Sequence, residues 1–147
     1  MSKMNPIKKY MTKSLHTIGE DIPLSKAIEM MREHRIRHLP VQYAGKIVGL
    51  LSDRDIQLAL TVRPSAKDLE VGDVMTEHPY SVSAECPLEQ VAQEMSKNKF
   101  GCAIIENEQG RAIGIFTAVD GMGLLGEWLR KKNLNEPQMR LISQSQT

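Results

Sequence analysis

Aromatic side chains are scarce in this chain of 147 residues, because two Phe, three Tyr and one Trp make up only 4% of it. So few rings leave little surface for stacking unpaired bases, which argues against a nucleic acid-binding protein. An excess of one charge is also absent, since 19 Lys and Arg face 18 Asp and Glu and the formal net charge is +1. No field of the whole chain therefore attracts a nucleic acid or a membrane surface.

Cysteines and long apolar runs are likewise few. Cys86 and Cys102 are isolated thiols without CxxC spacing, which fits a reducing compartment better than a disulfide framework. No apolar run approaches the ~18 residues of a transmembrane helix, and the basic lead-in at residues 1–10 lacks the apolar stretch of a signal peptide. We therefore expect a cytoplasmic protein that makes no membrane contact.

The sequence does contain an internal duplication. The residues that return 64 or 65 positions later include Met11, Thr12, Pro23, Leu24, Gly49 and Asp55. A repeat of this period that occurs twice indicates two copies of one supersecondary unit. Each copy is too short to bury a good core alone, so we expect the pair to form one domain with related clefts at the seam.

Each copy predicts the element order β-α-β-β-α. The first copy predicts an extended piece at 15–18, a helix from Pro23, strands at 39–43 and 47–51, and a helix at 53–61. The second copy predicts strands at 102–105 and 112–116 and a helix at 118–132. We place repeat 1 at 7–61, a polar linker at 62–70, repeat 2 at 71–132 and a flexible polar tail at 133–147.

The second helix of each copy begins with a hydroxyl residue followed, three positions later, by a carboxylate. The pairs are Ser52 with Asp55 and Thr117 with Asp120. One interpretation is a helix capping box, worth roughly 1 kcal/mol. The other is a ligand site in which the carboxylate accepts from two neighbouring hydroxyls, as in a ribose diol, at roughly 1.5–3 kcal/mol per hydrogen bond. Gly49 would then let a ring or sugar approach the strand.

Together these features resemble a tandem pair of cystathionine β-synthase (CBS) domains. In each copy the resemblance rests on Met-Thr before the first strand, a Pro-Leu helix start and the order Gly-φ-φ-Ser/Thr-x-x-Asp, where φ is apolar, over about residues 7–126. It implies an α+β fold of two units packed sheet to sheet with pseudo-two-fold symmetry. It also implies a homodimeric regulatory module, not an enzyme, that binds AMP, ADP, ATP or S-adenosylmethionine.

The resemblance assigns roles to single positions of this chain. The ribose positions are Ser52, Asp55, Thr117 and Asp120. The base-pocket positions are Thr17, Ile18, Pro40, Val41, Ser81, Val82, Ile104 and Ile105. Arg37 and His38 match phosphate-facing positions, and Arg54 is a further candidate. Because Gly101 and Cys102 replace Arg37 and His38 in the second copy, we expect the two clefts to differ.

Several other patterns leave alternatives open. Residues 121–126 match GxGxxG, but no second parallel strand and acidic residue follow as a dinucleotide site requires. His34 and His38 are four apart without a third ligand, so we expect no metal site. The basic cluster at 32–38 would contact a phosphate, a nucleic acid or only solvent.

In the main hypothesis, a ligand that touches both repeats favours one arrangement of them, which an unidentified effector protein detects. The alternatives are a ligand-free dimerisation or interaction scaffold, in which the Asp residues only cap helices, and an enzyme of unrecognised chemistry.

Overall fold

The computed structural model describes residues 5–132. The chain divides into two compact units, Met1–Phe116 and Thr117–Thr147. The predicted tail at 133–147 lies outside the described residues. Among the helices of residues 5–132, none has the length and apolar character needed to cross a bilayer.

The fold is α+β, and the predicted element order is confirmed in both copies. The first copy contains β1 (Ile18–Gly19), α1 (Leu24–His34), β2 (His38–Tyr43), β3 (Lys46–Ser52) and α2 (Asp53–Val62). The rest of the larger unit contains α3 (Val71–Val74), β4 (Thr76–Glu77), β5 (Ser81–Ser83), α4 (Leu88–Asn98), β6 (Cys102–Glu106) and β7 (Ala112–Thr117). The smaller unit, where described, is α5 (Ala118–Lys132).

The first helix forms where the apolar spacing predicts it. Pro23 precedes α1 with extended backbone, where its missing N–H costs no helical hydrogen bond. The stripe of Leu24, Ala27 and Met31 is buried against the first sheet in a common hydrophobic cluster. Complete burial of a side chain such as Leu24 contributes about 1.5–3 kcal/mol. The helix ends at a left-handed residue, Arg35 (φ 55°), and α4 ends in the same way at Lys99 (φ 60°).

The leading segment of each copy pairs with the other copy. β4, near the start of the second copy, pairs antiparallel with β3 of the first, so the first sheet has the order β1-β2-β3-β4. Residues 5–12, which we call the N-terminal strap, bond to the second copy instead. The amide of Ile7 donates to the carbonyl of Cys86 at 2.7 Å, and Thr12 and Ile115 exchange backbone bonds of 2.8 and 3.1 Å. Residues 5–10 of the basic lead-in are therefore part of the fold.

The exchange gives the repeated glycines a structural role. A Cβ at Gly49 would collide with the Met75 sulfur and lie 3.0 Å from the Thr76 carbonyl oxygen. A Cβ at Gly114 would collide with Met11 in the same way. Our hypothesis that Gly49 admits a ring or a sugar is therefore wrong, because the Met of the repeated Met-Thr pair fills that space.

The predicted linker is ordered rather than a plain polar connection. Residues Pro64–Asp68 form a 3₁₀ helix whose Ala66 is 1% exposed. The carbonyl of Leu69 accepts from the amide of Leu24 at 2.7 Å, and the amide of Val71 donates to Ile22 at 2.8 Å. These bonds hold the connection against the start of α1.

Candidate functional site

A cavity of about 560 Å³, which we call the cleft, lies at the end of β3 and the start of α2. Its volume is within the ~300–1,000 Å³ typical of small-molecule sites. The residues that line it are Arg37, His38, Leu50, Ser52, Asp53, Arg54, Asp55, Thr76, His78, Pro79, Tyr80, Lys99, Phe100, Gly101 and Cys102. The cleft is therefore built from residues of both copies.

Ser52 and Asp55 form a capping box at the first turn of α2. The amide of Asp55 donates to Ser52 Oγ, and the amide of Ser52 donates to Asp55 Oδ2, both at 3.0 Å. Thr76 Oγ1 donates to the same Oδ2 at 3.5 Å. Within residues 5–132, Asp55 Oδ1 accepts no hydrogen bond. The cap thus fixes the carboxylate in place and leaves one oxygen available to a ligand hydroxyl.

The smaller unit contains the same local arrangement at the start of α5. The amide of Thr117 donates to Asp120 Oδ2 at 2.9 Å, and the amide of Asp120 donates to Thr117 Oγ1 at 3.1 Å. The bonds match those of Ser52 and Asp55, which is what the duplicated sequence predicts. The use of Thr117 and Asp120 as a second ribose site stays a prediction.

The cleft has more cationic than anionic side chains. Arg37, Arg54 and Lys99 line it against two carboxylates, those of Asp53 and Asp55. Among the described residues, no carboxylate lies within 4 Å of these three cationic groups. Unpaired guanidinium and ammonium groups suit phosphate oxygens. Lys99, which follows directly after α4, also lines the cleft and was not among the predicted site residues.

His38 lies in the cleft next to Gly101 of the other copy. A Cβ at Gly101 would lie 3.0 Å from His38 Nε2, so Gly101 leaves room for the imidazole. Burial lowers the pKa of His38 below its usual 6.5, and Arg37 also lowers it, while Asp55 and Asp53 oppose the shift. At neutral pH the ring is therefore predominantly neutral and offers a ligand a hydrogen bond more than a charge.

The lowered pKa of His38 predicts a pH-dependent stability. As the pH falls below 6.5, the unfolded chain takes up a proton at this ring more readily than the folded chain, so the free energy of unfolding decreases. His38→Gln removes the titrating group. We expect its melting temperature to fall less than that of the parent when the pH is lowered from about 7.5 to about 5.5. Equal falls in the two proteins would contradict this assignment.

Two aromatic rings of the second copy also line the cleft. Tyr80 and Phe100 stack with ring centroids 5.1 Å apart and an interplanar angle of 23°. The Tyr80 hydroxyl donates to Glu94 Oε1 at 2.9 Å, which fixes the ring. Burial, together with that bond to Glu94, raises the pKa of Tyr80, so the phenol stays protonated. The pair offers a flat surface of the kind on which bases stack.

None of the eight predicted base-pocket residues lines this cleft. Ile18, Pro40, Val41, Ile104 and Ile105 are buried, and Thr17, Ser81 and Val82 are half-buried outside the lining. The physical reason is their place in the paired strands of the two sheets, where Ile18 pairs with Val41 and Ser81 pairs with Ile104. Contact of the eight residues with a base stays a prediction.

Two of the weaker sequence patterns, the glycine motif and the histidine pair, have no site geometry in the described part of the chain. Residues 121–126 lie inside α5, not in the turn between a strand and a helix that a dinucleotide fingerprint occupies. Between residues 5 and 132, no group of three His, Cys, Asp or Glu side chains has the geometry of a metal site.

Comparison with known proteins places this fold in a family. The family model of the CBS domain matches residues 7–62 and again residues 71–126. A CBS domain-containing protein of Dictyostelium discoideum is 30% identical over 131 residues, which cover 81% of this chain and 90% of that protein. The chain spans only 22% of an inosine-5'-monophosphate dehydrogenase from Korarchaeum cryptofilum and 23% of a homoserine O-acetyltransferase from Methanococcus vannielii.

Solved structures match over nearly their whole length. The CBS domain pair of protein MJ0100, in complex with 5'-methylthioadenosine and S-adenosyl-L-methionine, has a TM-score of 0.77 and 27% identity over 85% of this chain and 98% of that one. CBSX2 from Arabidopsis thaliana, in complex with AMP, has a TM-score of 0.72 and 28% identity over 86% of this chain and 98% of that one. The chain therefore belongs to the CBS domain family and contains a tandem pair of these domains.

Proposed function

We propose that this chain is a regulatory module that binds an adenosine-containing ligand in the cleft and signals to a partner through a conformational shift. The observation that supports this most directly is the position of Asp55. Its Oδ2 is held by the capping bond, while its Oδ1 accepts no hydrogen bond among residues 5–132. The complexes of CBSX2 with AMP and of the MJ0100 pair with adenosyl compounds support the ligand class.

The lining of the cleft suggests a place for each part of a nucleotide. The ribose diol donates to Asp55, since a carboxylate accepts two hydroxyl bonds well. The stacked rings of Tyr80 and Phe100 provide an apolar face for the base. Phosphate oxygens meet Arg37 and Lys99. We favour AMP, ADP or ATP over S-adenosylmethionine because a sulfonium would add a positive charge to a cleft with excess cations.

The proposed signalling is supported by the fact that both copies contribute side chains to the cleft. The cleft joins Asp55 and Arg37 of the first copy to Lys99 and Phe100 of the second. A ligand that contacts both sets stabilises the arrangement in which they lie at the right separation. The population of that arrangement then rises with ligand concentration, up to a limit set by the ratio of the ligand's affinities for the two arrangements.

A second copy of the chain is the first partner that we propose. On α2, Leu58 and Val62 are 64% and 79% exposed, and on α5 Met122 and Trp128 are 67% and 52% exposed. Apolar side chains exposed on helices support the predicted homodimer, because an interface would remove them from water. The effector is a further protein that responds to the ligand-bound arrangement. We propose no catalytic role for this chain.

A thermal-shift screen with AMP, ADP, ATP, S-adenosylmethionine and NAD tests the proposal. A ligand at ~100 times its dissociation constant stabilises the folded state by about 2.7 kcal/mol, which is a rise in melting temperature of roughly 5–10 °C for a domain of this size. We expect such a rise with at least one adenine nucleotide and a smaller one with S-adenosylmethionine. No rise with any compound would favour the scaffold, and turnover of a compound would favour an enzyme.

A further inference from the structure

A second cavity, of about 530 Å³, lies between α1 and α2 of the first copy. Its apolar lining includes Met31 and Ile56, and its cationic lining consists of Arg32, Arg35 and Arg37. We call it the arginine groove. It contains no aromatic side chain and a single carboxylate, that of Asp53. A groove with an aliphatic lining and several cations suits an occupant that is both apolar and acidic.

The charge of the groove is local to the first copy. The chain as a whole is nearly balanced, at a formal net charge of +1, yet three arginines share this groove. In the part of the chain that the structure describes, none of them lies within 4 Å of a carboxylate. In the second copy the positions equivalent to Arg32 and Arg37 are Ser96 and Gly101, and only Arg35 has a cationic equivalent, Lys99. The duplication alone therefore does not account for the cluster.

The arginine groove adjoins the cleft. Arg37 and Asp53 line both cavities, and the amide of Asp53 donates to the carbonyl of Arg37 at 2.8 Å. A ligand phosphate that engages Arg37 in the cleft changes the charge available in the groove. The reverse holds equally, because coupling between two binding sites is reciprocal.

We propose that the arginine groove is the docking site for an acidic segment of the effector protein. Aliphatic side chains of that segment occupy the apolar lining, and its carboxylates pair with Arg32, Arg35 and Arg37. Charge complementarity selects an acidic partner, and the absence of aromatic rings from the lining disfavours stacked bases. The effector role of this segment rests on the proposed function, whereas its binding to the groove does not.

The test uses the full chain and a fluorescein-labelled 12-residue peptide with Leu at positions 2, 5, 6 and 9 and Glu elsewhere. Leu at this spacing forms one helical face. Without nucleotide, we expect fluorescence anisotropy to detect binding, and Arg32→Glu with Arg35→Glu to weaken it about tenfold or more. Lys46→Glu with Lys97→Glu is the matched control, since it makes the same total charge change at the start of β3 and in the last turn of α4, outside the groove. We expect it to change the affinity less than twofold.

Three results would overturn the docking site. One is equal weakening by Lys46→Glu with Lys97→Glu, which would indicate attraction to the overall charge. Another is equal binding of a peptide with Lys in place of Glu. The third is a 12-nucleotide single-stranded RNA that binds more tightly than the peptide and loses affinity on Arg32→Glu. Arg32 and Arg35 do not line the cleft, so the thermal shift with nucleotide should persist in their variants, and each proposal can fail without the other.

Discussion

Replacing Asp55 with Asn is expected to weaken adenine nucleotide binding about 10- to 100-fold, with little change in the melting temperature of the unliganded protein. The amide oxygen of Asn can still accept from the Ser52 amide, so the cap of α2 is retained. The variant loses the charged acceptor for the ribose hydroxyls, and hydrogen bonds to a charged group contribute roughly 1.5–3 kcal/mol each. Isothermal titration calorimetry with AMP and ATP measures the change.

The chain offers a matched control for the Asp55 substitution. Asp73 has the same capping role at α3, where its Oδ2 accepts from the Glu70 amide at 3.0 Å, but it does not line the cleft. Asp73→Asn should therefore leave the nucleotide affinity unchanged. If Asp55→Asn bound nucleotide as well as Asp73→Asn does, the Asp55 carboxylate would be a cap and nothing more, and the scaffold alternative would gain support.

Truncation of Ile7 to Ala should lower the free energy of unfolding by about 2–5 kcal/mol. Ile7 is fully buried although it lies in the N-terminal strap, and the strap joins the second copy through backbone hydrogen bonds. Loss of its side chain leaves a cavity and weakens the attachment of the strap. Urea denaturation followed by circular dichroism measures the change, and we expect a decrease in melting temperature of about 5–15 °C.

Tyr43→Ala is the control for the strap, because Tyr43 is 64% exposed and is not among the residues proposed for the dimer interface. A surface truncation of this kind changes stability by only ~0.5 kcal/mol or less. Equal stability of the two variants would mean that the strap is not held in place in solution. Faster cleavage of Ile7→Ala by a protease near residue 9, at low protease concentration, would confirm that the strap detaches first.

The elements that rest on local patterns were predictable from the sequence. The apolar spacing of α1 and the turn residues between β2 and β3 predicted both features close to their observed limits. The strap and β4 were not predictable in this way. Both are short, and their partners are distant in the chain, as the pairing of Thr12 with Ile115 illustrates. A two-residue strand has no periodicity, so only the tertiary structure identifies it.

The same reason divides the candidate site into predictable and unpredictable parts. Ser52 and Asp55 were identified because their spacing at a helix start has a recognisable chemistry. Tyr80, Lys99 and Phe100 follow no comparable motif; Tyr80 comes shortly after β4, which joins the sheet of the other copy, and Lys99 and Phe100 come directly after α4. The repeated Met-Thr pair was the available signal in the sequence. Met75 packs against Gly49 and Met11 packs against Gly114, so each Met marks a segment that packs on the other copy.

The exchange of leading segments also determines when this fold can be completed on the ribosome. The first sheet lacks its β4 edge until Glu77 has emerged, and the strap, whose first partners lie near Cys86, lacks its last partner until Ile115 has been made. At a synthesis rate of about 5–20 residues per second, the strap waits roughly 5–20 s for that partner. Until the second copy has folded, Ile7 has no core to enter and is accessible to chaperones and proteases, although it is among the first residues to be made.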